Sequence, residues 1–342
     1  MQRKTKLGIR EIAKLAGVST ATVSRVINSP KLTSPETRAK VLDIINKYDY
    51  IPNQLARDFI SGTSKSIGFM VLDLRLPFYI SVIQHLNHLA LENGYTLLIC
   101  DTGTSFEIEK KYFQYCKSIR AAGVIFTAGR SEGWEQEIGI CSESANDFDM
   151  PIVLLDRKIS NNQNCYIVGS NDFQGITLLF DYLYNLGHRK IGFIRGPVFM
   201  SSANARYNSY LSNMAKHHLP HKPSYVYIGN FSEPSGMDAF DYFNLLDDPP
   251  TAIIAANDAM ARGFILKAFS YNVEIPGKYS ICGMDGIDES SFFPPLTTVR
   301  QNTRALAETM FNFIVHKDSI KPQQAILDVE FSQGRTCRKI DT

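Results

Sequence analysis

Apolar residues recur at helical spacing in three short segments near the N-terminus, with polar residues on the intervening positions. Gly17 separates the first segment from the second, and Ser19 can accept hydrogen bonds from the N–H groups that open the second helix. Ser34 and Pro35 are typical of the start of a third helix. The pattern predicts a helix-turn-helix followed by one more helix. Its apolar positions are Ile9, Ile12, Ala13, Ala16, Val23, Val26, Ile27, Val41, Leu42, Ile45 and Tyr48.

From Ser66 onward the pattern changes to short, almost continuous apolar runs that alternate with amphipathic helical stretches. Runs of this kind are typical of parallel strands that helices cover on both faces. There are too many of them for one compact sheet, so the sequence predicts an α/β core of two parallel-sheet lobes with a cleft between them. The runs are IGFMVL, TLLIC, GVIF, IVLLD, YIVGS, IGFIR, YVYIG, AIIAAN and SICGMD.

The same pattern places the domain boundaries. We expect a headpiece at 1–52, a hinge helix and linker at 53–65, and a core at 66–342. The first lobe of the core is expected at about 66–168 and 301–322, and the second at about 169–300 and 323–342. The helix that starts at Thr303 would then belong to the first lobe, and the run AILDVEF to the second.

Charge distinguishes the headpiece from the core. The chain has 342 residues, 44% of them hydrophobic, and a formal net charge of +2. Residues 1–60 hold 11 Lys and Arg against 5 Asp and Glu, whereas the remainder holds 25 against 29. A basic end is typical of a segment that binds a polyanion, so we expect the headpiece to bind nucleic acid.

The cysteines and the apolar runs argue against metal sites and membrane insertion. The six cysteines form no CxxC pair and no zinc spacing, which is typical of reduced thiols in a cytosolic protein. No apolar run approaches the ~20 residues that a membrane span needs, and the N-terminus has no apolar signal core. We therefore expect a cytoplasmic protein with no cofactor and no metal.

The outward face of the second helix carries short polar groups and one arginine, and it carries no acid. Arg25 can donate to guanine O6 and N7 together, while Ala21 offers a methyl group to thymine or allows close approach. Such a face suits the major groove of DNA. The predicted DNA-binding residues here are Ser19, Thr20, Ala21, Thr22, Ser24, Arg25 and Asn28.

Three blocks of sequence resemble the N-terminus of the lac repressor family of bacterial transcription regulators. They are IREIAKLAGVSTATVSRVIN, SPETRAKV and YIPNQLARDF, in the order and spacing of that family. The resemblance is close over about the first 65 residues and looser over the rest. It implies a core like that of the periplasmic binding proteins, a homodimer, and a near-palindromic operator.

The segment from Gln54 to Ser61 is predicted to form a hinge helix. It is too short to be stable alone in water, so we expect operator DNA and a partner chain to order it. In the family this segment lies in the minor groove, where a leucine at the position of Phe59 wedges between base pairs. Phenylalanine keeps an apolar wedge that is flat and larger. The predicted DNA-binding residues in this segment are Asn53, Leu55, Ala56 and Phe59.

Polar residues just past the strands are candidates for a ligand site, because open α/β sheets bind ligands at the carboxyl ends of their strands. The resemblance implies that most of them line an effector pocket. The candidates are Asp73, Phe78, Asp156, Arg206, Asn257, Asp285 and Gln301. Asp258 is expected to cap the helix that follows it. Arg157, Arg195 and Arg206 keep a phosphorylated sugar open as the ligand.

Together these features predict a transcription repressor of a carbohydrate-utilisation operon, controlled by a sugar or sugar phosphate. A sugar-binding transport protein is one alternative, and a purine-responsive repressor is another. No nucleophile motif, phosphate loop or metal set supports an enzyme. The identity of the effector, and whether it releases or promotes DNA binding, stay open.

Overall fold

The computed structural model describes residues 7–50, 64–103, 105–129, 150–157, 165–286, 294–316 and 324–340. The chain divides into two compact units, Met1–Gly62 and Thr63–Thr342. Each unit has a core of its own and is described separately.

The described part of the first unit is a small helical module. Helix α1 (Ile9–Ala16) ends at Gly17, whose φ of 64° is the left-handed conformation that glycine adopts without strain. Helix α2 (Thr20–Asn28) follows, and α3 (Pro35–Lys47) comes after a turn at Pro30–Leu32. Ser19 and Ser34 cap α2 and α3 by accepting from Thr22 N and Thr37 N. The predicted helix-turn-helix and third helix are confirmed.

The core of this module differs from the prediction on α3. Val41 is buried there together with Ile12, Ala13, Ala16, Val23 and Val26. Ile44 and Ile45 pack against this core, whereas Leu42 and Tyr48 are 41% and 44% exposed. The inner face of α3 follows positions i, i+3 and i+4 from Val41, which leaves Leu42 about 100° away from it. The predicted core positions Leu42 and Tyr48 are therefore wrong for this unit.

The first lobe of the second unit is a parallel sheet with helices against it. Its strands lie in the order β11-β5-β4-β3-β1-β2. They are β1 (Ser66–Val71), β2 (Thr96–Asp101), β3 (Gly123–Phe126), β4 (Ile152–Leu155), β5 (Cys165–Ser170) and β11 (Gln324–Leu327). Helices α4 (Pro77–Glu92), α5 (Phe106–Ser118) and α10 (Thr303–Val315) pack on this sheet. The expected return of α10 to the first lobe agrees with its packing against α4.

The second lobe is a smaller parallel sheet in the order β7-β6-β8-β9. Its strands are β6 (Ile191–Arg195), β7 (Val226–Ile228), β8 (Ala252–Ala255) and β9 (Ser280–Cys282). The helices of this lobe are α6 (Asp172–Asn185), α7 (Ser201–Lys216), α8 (Glu233–Asn244) and α9 (Asp258–Ser270). Strands β10 (Thr298–Arg300) and β12 (Glu330–Ser332) pair antiparallel beside α6.

Within the described residues the chain crosses between the lobes at Asn171, Gln301 and Asp328. The first two crossings lie one or two residues from the expected boundaries at Gly169 and Arg300. The third differs, because β11 pairs in parallel with β5 in the first sheet, and only β12 lies with the second lobe. The expectation that the whole run AILDVEF belongs to the second lobe is therefore wrong for Gln324–Leu327. Among the described residues no helix is long and apolar enough to cross a membrane.

Candidate functional sites

The recognition face of α2 comprises the predicted DNA-binding residues Ser19, Thr20, Ala21, Thr22, Ser24, Arg25 and Asn28. Ala21 and Arg25 are exposed. Ser19 N-caps the helix, and its Oγ lies 2.9 Å from Thr22 Oγ1. The Ser19 and Thr22 hydroxyls therefore fix the start of α2, while Arg25 and Ala21 are presented outward. The Asn28 side chain and the hinge residues Asn53, Leu55, Ala56 and Phe59 lie outside the described residues, so their roles stay predictions.

The core holds a small cavity between the two lobes, which we call the inner cavity. Its volume is about 30 Å³, room for little more than one hydroxyl group or water. The described lining residues are Leu76, Pro77, Phe78, Tyr79, Ala128, Asp156, Ser202, Arg206, Phe231, Asn257 and Asp285. The structure thus brings together the predicted residues Phe78, Asp156, Arg206, Asn257 and Asp285.

Arg206 is the centre of a buried charge network in this cavity. Its Nε donates to Asp172 Oδ1 at 2.7 Å, and its Nη1 donates to the Ala256 carbonyl and lies 3.7 Å from Asp285 Oδ1. Nη2 has no hydrogen-bond partner among the described residues. Burial lowers the pKa of Arg206, but the charges of Asp172 and Asp285 outweigh burial and raise it. Arg206 is therefore a fixed cation whose Nη2 carries two N–H groups that can donate to a ligand.

Burial shifts the pKa values of two acids of the inner cavity upward, toward their neutral forms. Burial raises the pKa of Asp285 well above its usual value, an effect that Arg206 only partly offsets. Burial, reinforced by the charge of Asp172, raises the pKa of Asp156 to about 7. A protonated carboxyl group can donate as well as accept a hydrogen bond, which suits a hydroxylated ligand.

Three lining residues are held in a strained backbone conformation. Asp156, Phe231 and Asp285 have φ values of 55°, 69° and 141°. Such values cost roughly 1–3 kcal/mol each for residues other than glycine, and they cluster at ligand sites. Phe231 is absent from the sequence-based candidates, and Gly196 is the one signal that points to it. A Cβ on Gly196 would lie 2.2 Å from the Phe231 ring, so only glycine admits the ring.

Asn257 and Gln301 support the cavity through other residues. Asn257 Oδ1 accepts from Met260 N, which makes Asn257 the N-cap of α9, and its Nδ2 donates to the Phe231 carbonyl at 2.9 Å. The expectation that Asp258 caps this helix is wrong, because Asp258 accepts instead from Thr298 Oγ1 and Gly286 N. Gln301 is not among the described lining residues, and its Nε2 donates to Asp285 Oδ1 at 2.7 Å.

Asp73 lies beside a larger space that adjoins the inner cavity at Leu76, which we call the outer chamber. Its volume is about 640 Å³, within the range of small-molecule sites. Asp73 pairs there with Arg75 at 2.8 Å and stabilises its own loop. The described lining residues are Leu72, Asp73, Arg75, Leu76, Asp101, Gly103, Pro197, Val198, Phe199, Met200, Ile228, Gly229 and Asn230.

Two of the arginines proposed for a phosphate are engaged elsewhere. Arg157 forms a buried two-pronged ion pair with Glu109 in the first lobe, at 2.8 and 3.2 Å. Arg195 donates to Asn204 and stacks 4.4 Å from the Tyr207 ring centroid. Neither residue belongs to the described lining of the inner cavity or the outer chamber.

A helix-turn-helix module in one chain with a two-lobed α/β core and a polar interlobe cavity defines a class of protein, the ligand-responsive transcription regulators. Residues 8–53 match the bacterial regulatory proteins of the lacI family, and residues 180–337 match a periplasmic binding protein-like domain. The HTH-type transcriptional repressor PurR of Mannheimia succiniciproducens is 31% identical over 324 residues, which cover 91% of this chain and 93% of the relative. The chain belongs to the lacI family and is a DNA-binding transcriptional regulator.

Solved structures support the fold. The lac repressor dimer bound to operator and the anti-inducer ONPF has a TM-score of 0.85 at 23% identity, covering 98% of this chain and 100% of that one. A periplasmic binding protein/LacI transcriptional regulator from Alkaliphilus metalliredigens, in complex with D-xylulofuranose, has a TM-score of 0.67 at 26% identity, covering 80% of this chain and 99% of that one. The predicted fold class is confirmed.

Proposed function

We propose that the chain represses transcription as a homodimer on near-palindromic DNA, and that a neutral hydroxylated small molecule, a sugar, controls it. The observation that carries the proposal is the Arg206 network, which leaves the two N–H groups of Nη2 without a partner among the described residues; Arg206 lines a polar cavity of about 30 Å³ beside a chamber of about 640 Å³. A sugar ring fits the chamber and can project a hydroxyl group into the inner cavity. The protein acts in the cytoplasm and leaves its ligand chemically unchanged.

Charge supports a neutral sugar over a sugar phosphate. Among the described residues that line either space, the arginines are Arg75 and Arg206, and each pairs with a carboxylate. Asp73 neutralises Arg75, Asp172 neutralises Arg206, and Asp101 adds a further acid to the outer chamber, so a phosphate would meet no unpaired arginine among these lining residues. A purine is the second candidate, because Phe78 and Phe231 offer aromatic faces to a planar base.

Calorimetry on the full chain tests the ligand class. We expect a neutral sugar to bind at least tenfold more tightly than its phosphate ester. Asp285→Asn keeps the size of the side chain and should weaken sugar binding by about 1–3 kcal/mol, whereas Arg304→Ala, on the exposed surface, should not. Binding of a purine without any sugar would select the second candidate, and preference for the phosphate ester would refute the charge reasoning.

Gel shifts test the DNA interface. Arg25→Ala should cost about 1–3 kcal/mol on operator DNA and relax discrimination at one base position in each half-site. Arg10→Ala, an exposed arginine of α1, is the matched control and should keep that discrimination. Equal weakening by Arg25→Ala on specific and random DNA would contradict base reading by Arg25.

The hinge links the ligand to the DNA in this proposal. Leu55 packs against its counterpart in the second chain, Phe59 wedges into the operator centre, and Asn53 and Ala56 contact the DNA. A change in the angle between the lobes favours or disfavours the ordered hinge helix, and a coupling of about 1–3 kcal/mol is enough to switch the occupancy of the operator. Phe59→Ala should weaken operator binding and leave ligand affinity unchanged. Wild-type operator affinity in Phe59→Ala would contradict the proposed insertion of Phe59 between base pairs.

A further inference from the structure

Two cysteines of the second lobe lie side by side. Cys282 is the last residue of β9 and is fully buried, whereas Cys337 is half-buried in the segment 333–340 after β12. Their Sγ atoms are 3.3 Å apart. A disulfide has a sulfur–sulfur distance of about 2.05 Å, so the two Sγ atoms must approach by about 1.2 Å more to form one.

Backbone pairing around the cysteines holds them in this register. Ile281 N donates to the Thr336 carbonyl at 2.9 Å, and Thr336 Oγ1 donates to the Ile281 carbonyl at 2.6 Å. On the next residue pair, Arg338 N donates to Ser280 Oγ at 3.1 Å. These bonds do not involve the sulfur atoms, so the two thiols stay adjacent in either redox state.

We propose that Cys282 and Cys337 form a reversible disulfide when the protein meets a hydroperoxide. Cys337, the more accessible sulfur, attacks one oxygen of the peroxide, the O–O bond breaks, and a sulfenic acid and water or an alcohol result. Cys282 then attacks the sulfur of that sulfenic acid, which releases a second water. Two thiols are oxidised by two electrons and the peroxide is reduced by two.

The surroundings of the two thiols fit this order of attack. Burial raises the pKa of Cys337, but hydrogen bonding, with Cys282 first and Thr297 next, outweighs burial and lowers it. Burial raises the pKa of Cys282 well above its usual value. The thiolate, which is the attacking species, therefore forms first on Cys337.

A disulfide between these cysteines would link the segment 333–340 covalently to β9. Asp285 of the inner cavity lies three residues after Cys282, the last residue of β9. In the reduced protein the segment is attached by the short pairing of β12 with β10 and by hydrogen bonds. These bonds are made by Gly334, Arg335, Thr336, Arg338 and Ile340. The cross-link prevents separate opening of this segment. We expect protection of its backbone amides from hydrogen exchange to rise by roughly tenfold or more on oxidation.

Peptide mapping of the reduced full chain after graded hydrogen peroxide tests the proposal. Free thiols are alkylated before digestion without reductant. We expect a linked pair of peptides that contains Cys282 and Cys337, lighter by two hydrogen atoms than the separate peptides and resolved by dithiothreitol. Cys337→Ser should abolish the link, and Cys116→Ser, a buried cysteine of the first lobe, should preserve it.

Either of two results overturns the proposal. One is that Cys337 accumulates as sulfinic acid while Cys282 remains alkylatable after denaturation. The other is that the first linked pair contains a different cysteine. Should Cys337→Ser fold poorly, Cys337→Ala and the wild-type peptide map decide the question without it.

Discussion

Replacing Arg157 by methionine removes one half of a buried ion pair and should destabilise the core strongly. The Arg157 and Glu109 side chains are 1% and 5% exposed, and the guanidinium contacts both carboxylate oxygens. Methionine fills similar space but removes the guanidinium that contacts both oxygens of the buried Glu109 carboxylate. Breaking such a pair costs about 3–5 kcal/mol, which corresponds to a fall in Tm of roughly 6–20 °C for a domain of this size.

Thermal unfolding of the full chain, followed by circular dichroism, measures this loss of stability, and two further variants serve as controls. Arg304→Met removes an exposed partner of Glu308, 2.9 Å away, and should cost no more than about 1 kcal/mol. Arg157→Met combined with Glu109→Leu removes both charges and should recover most of the stability.

The reasoning fails if Arg157→Met costs no more than Arg304→Met, or if the added Glu109→Leu change lowers Tm further. The double variant also bears on function. Because it keeps the fold, unchanged sugar binding in it would show that Arg157 is not a ligand residue.

Three further substitutions probe the inner cavity. The pKa of Asp156 rises on folding from 3.8 to about 7, so the native state binds the extra proton and its free energy of unfolding falls as pH rises between these values. The free energy of unfolding of Asp156→Asn should therefore rise, relative to that of the wild type, by up to about 4 kcal/mol between pH 4 and 8. A difference in urea unfolding that stays constant with pH would contradict this. Asn257→Ala loses a helix cap and a buried hydrogen bond and should cost about 2 kcal/mol in denaturant unfolding, whereas Asn257→Asp keeps the cap and should lose about half as much. Gly196→Ala forces the Phe231 ring aside and should lower the free energy of unfolding by about 1–3 kcal/mol. It should also weaken ligand binding in calorimetry, and wild-type affinity would show that ligand binding does not need the ring in this position.

The sequence predicts the elements whose cause is local. Helix caps and breaks depend on the residue at the position itself, as at Ser19, Ser34 and Gly17. The structure has helices that begin and end at these residues. The cavity residues Asp156 and Arg206 also follow from the sequence: Asp156 from a strand end and the family resemblance, and Arg206, which lies within helix α7, from the resemblance. The ion pairs of Arg206 with Asp172 and Asp285 do not, since these pairings join distant parts of the chain.

Features that depend on nonlocal pairing could not be predicted. The run after Gln324 is apolar enough for a strand of either lobe, and only its pairing with β5 decides between them. The role of Phe231 depends on a backbone conformation that a phenylalanine rarely adopts, so no propensity rule selects it. The cap of α9 lies one residue before the expected Asp258, within the ordinary uncertainty of helix ends.

The contrast between the inner cavity and the outer chamber bears on how the ligand range can change by mutation. The inner cavity is fixed by buried pairs and by the cap of α9, so substitutions there disturb the fold. The outer chamber is bordered by loop segments such as Pro197–Met200, where Val198 and Phe199 are 52% and 40% exposed. Substitutions at exposed loop positions usually cost less than about 0.5 kcal/mol. New ligand preferences can therefore arise in this chain one loop residue at a time, without compensating changes in the core.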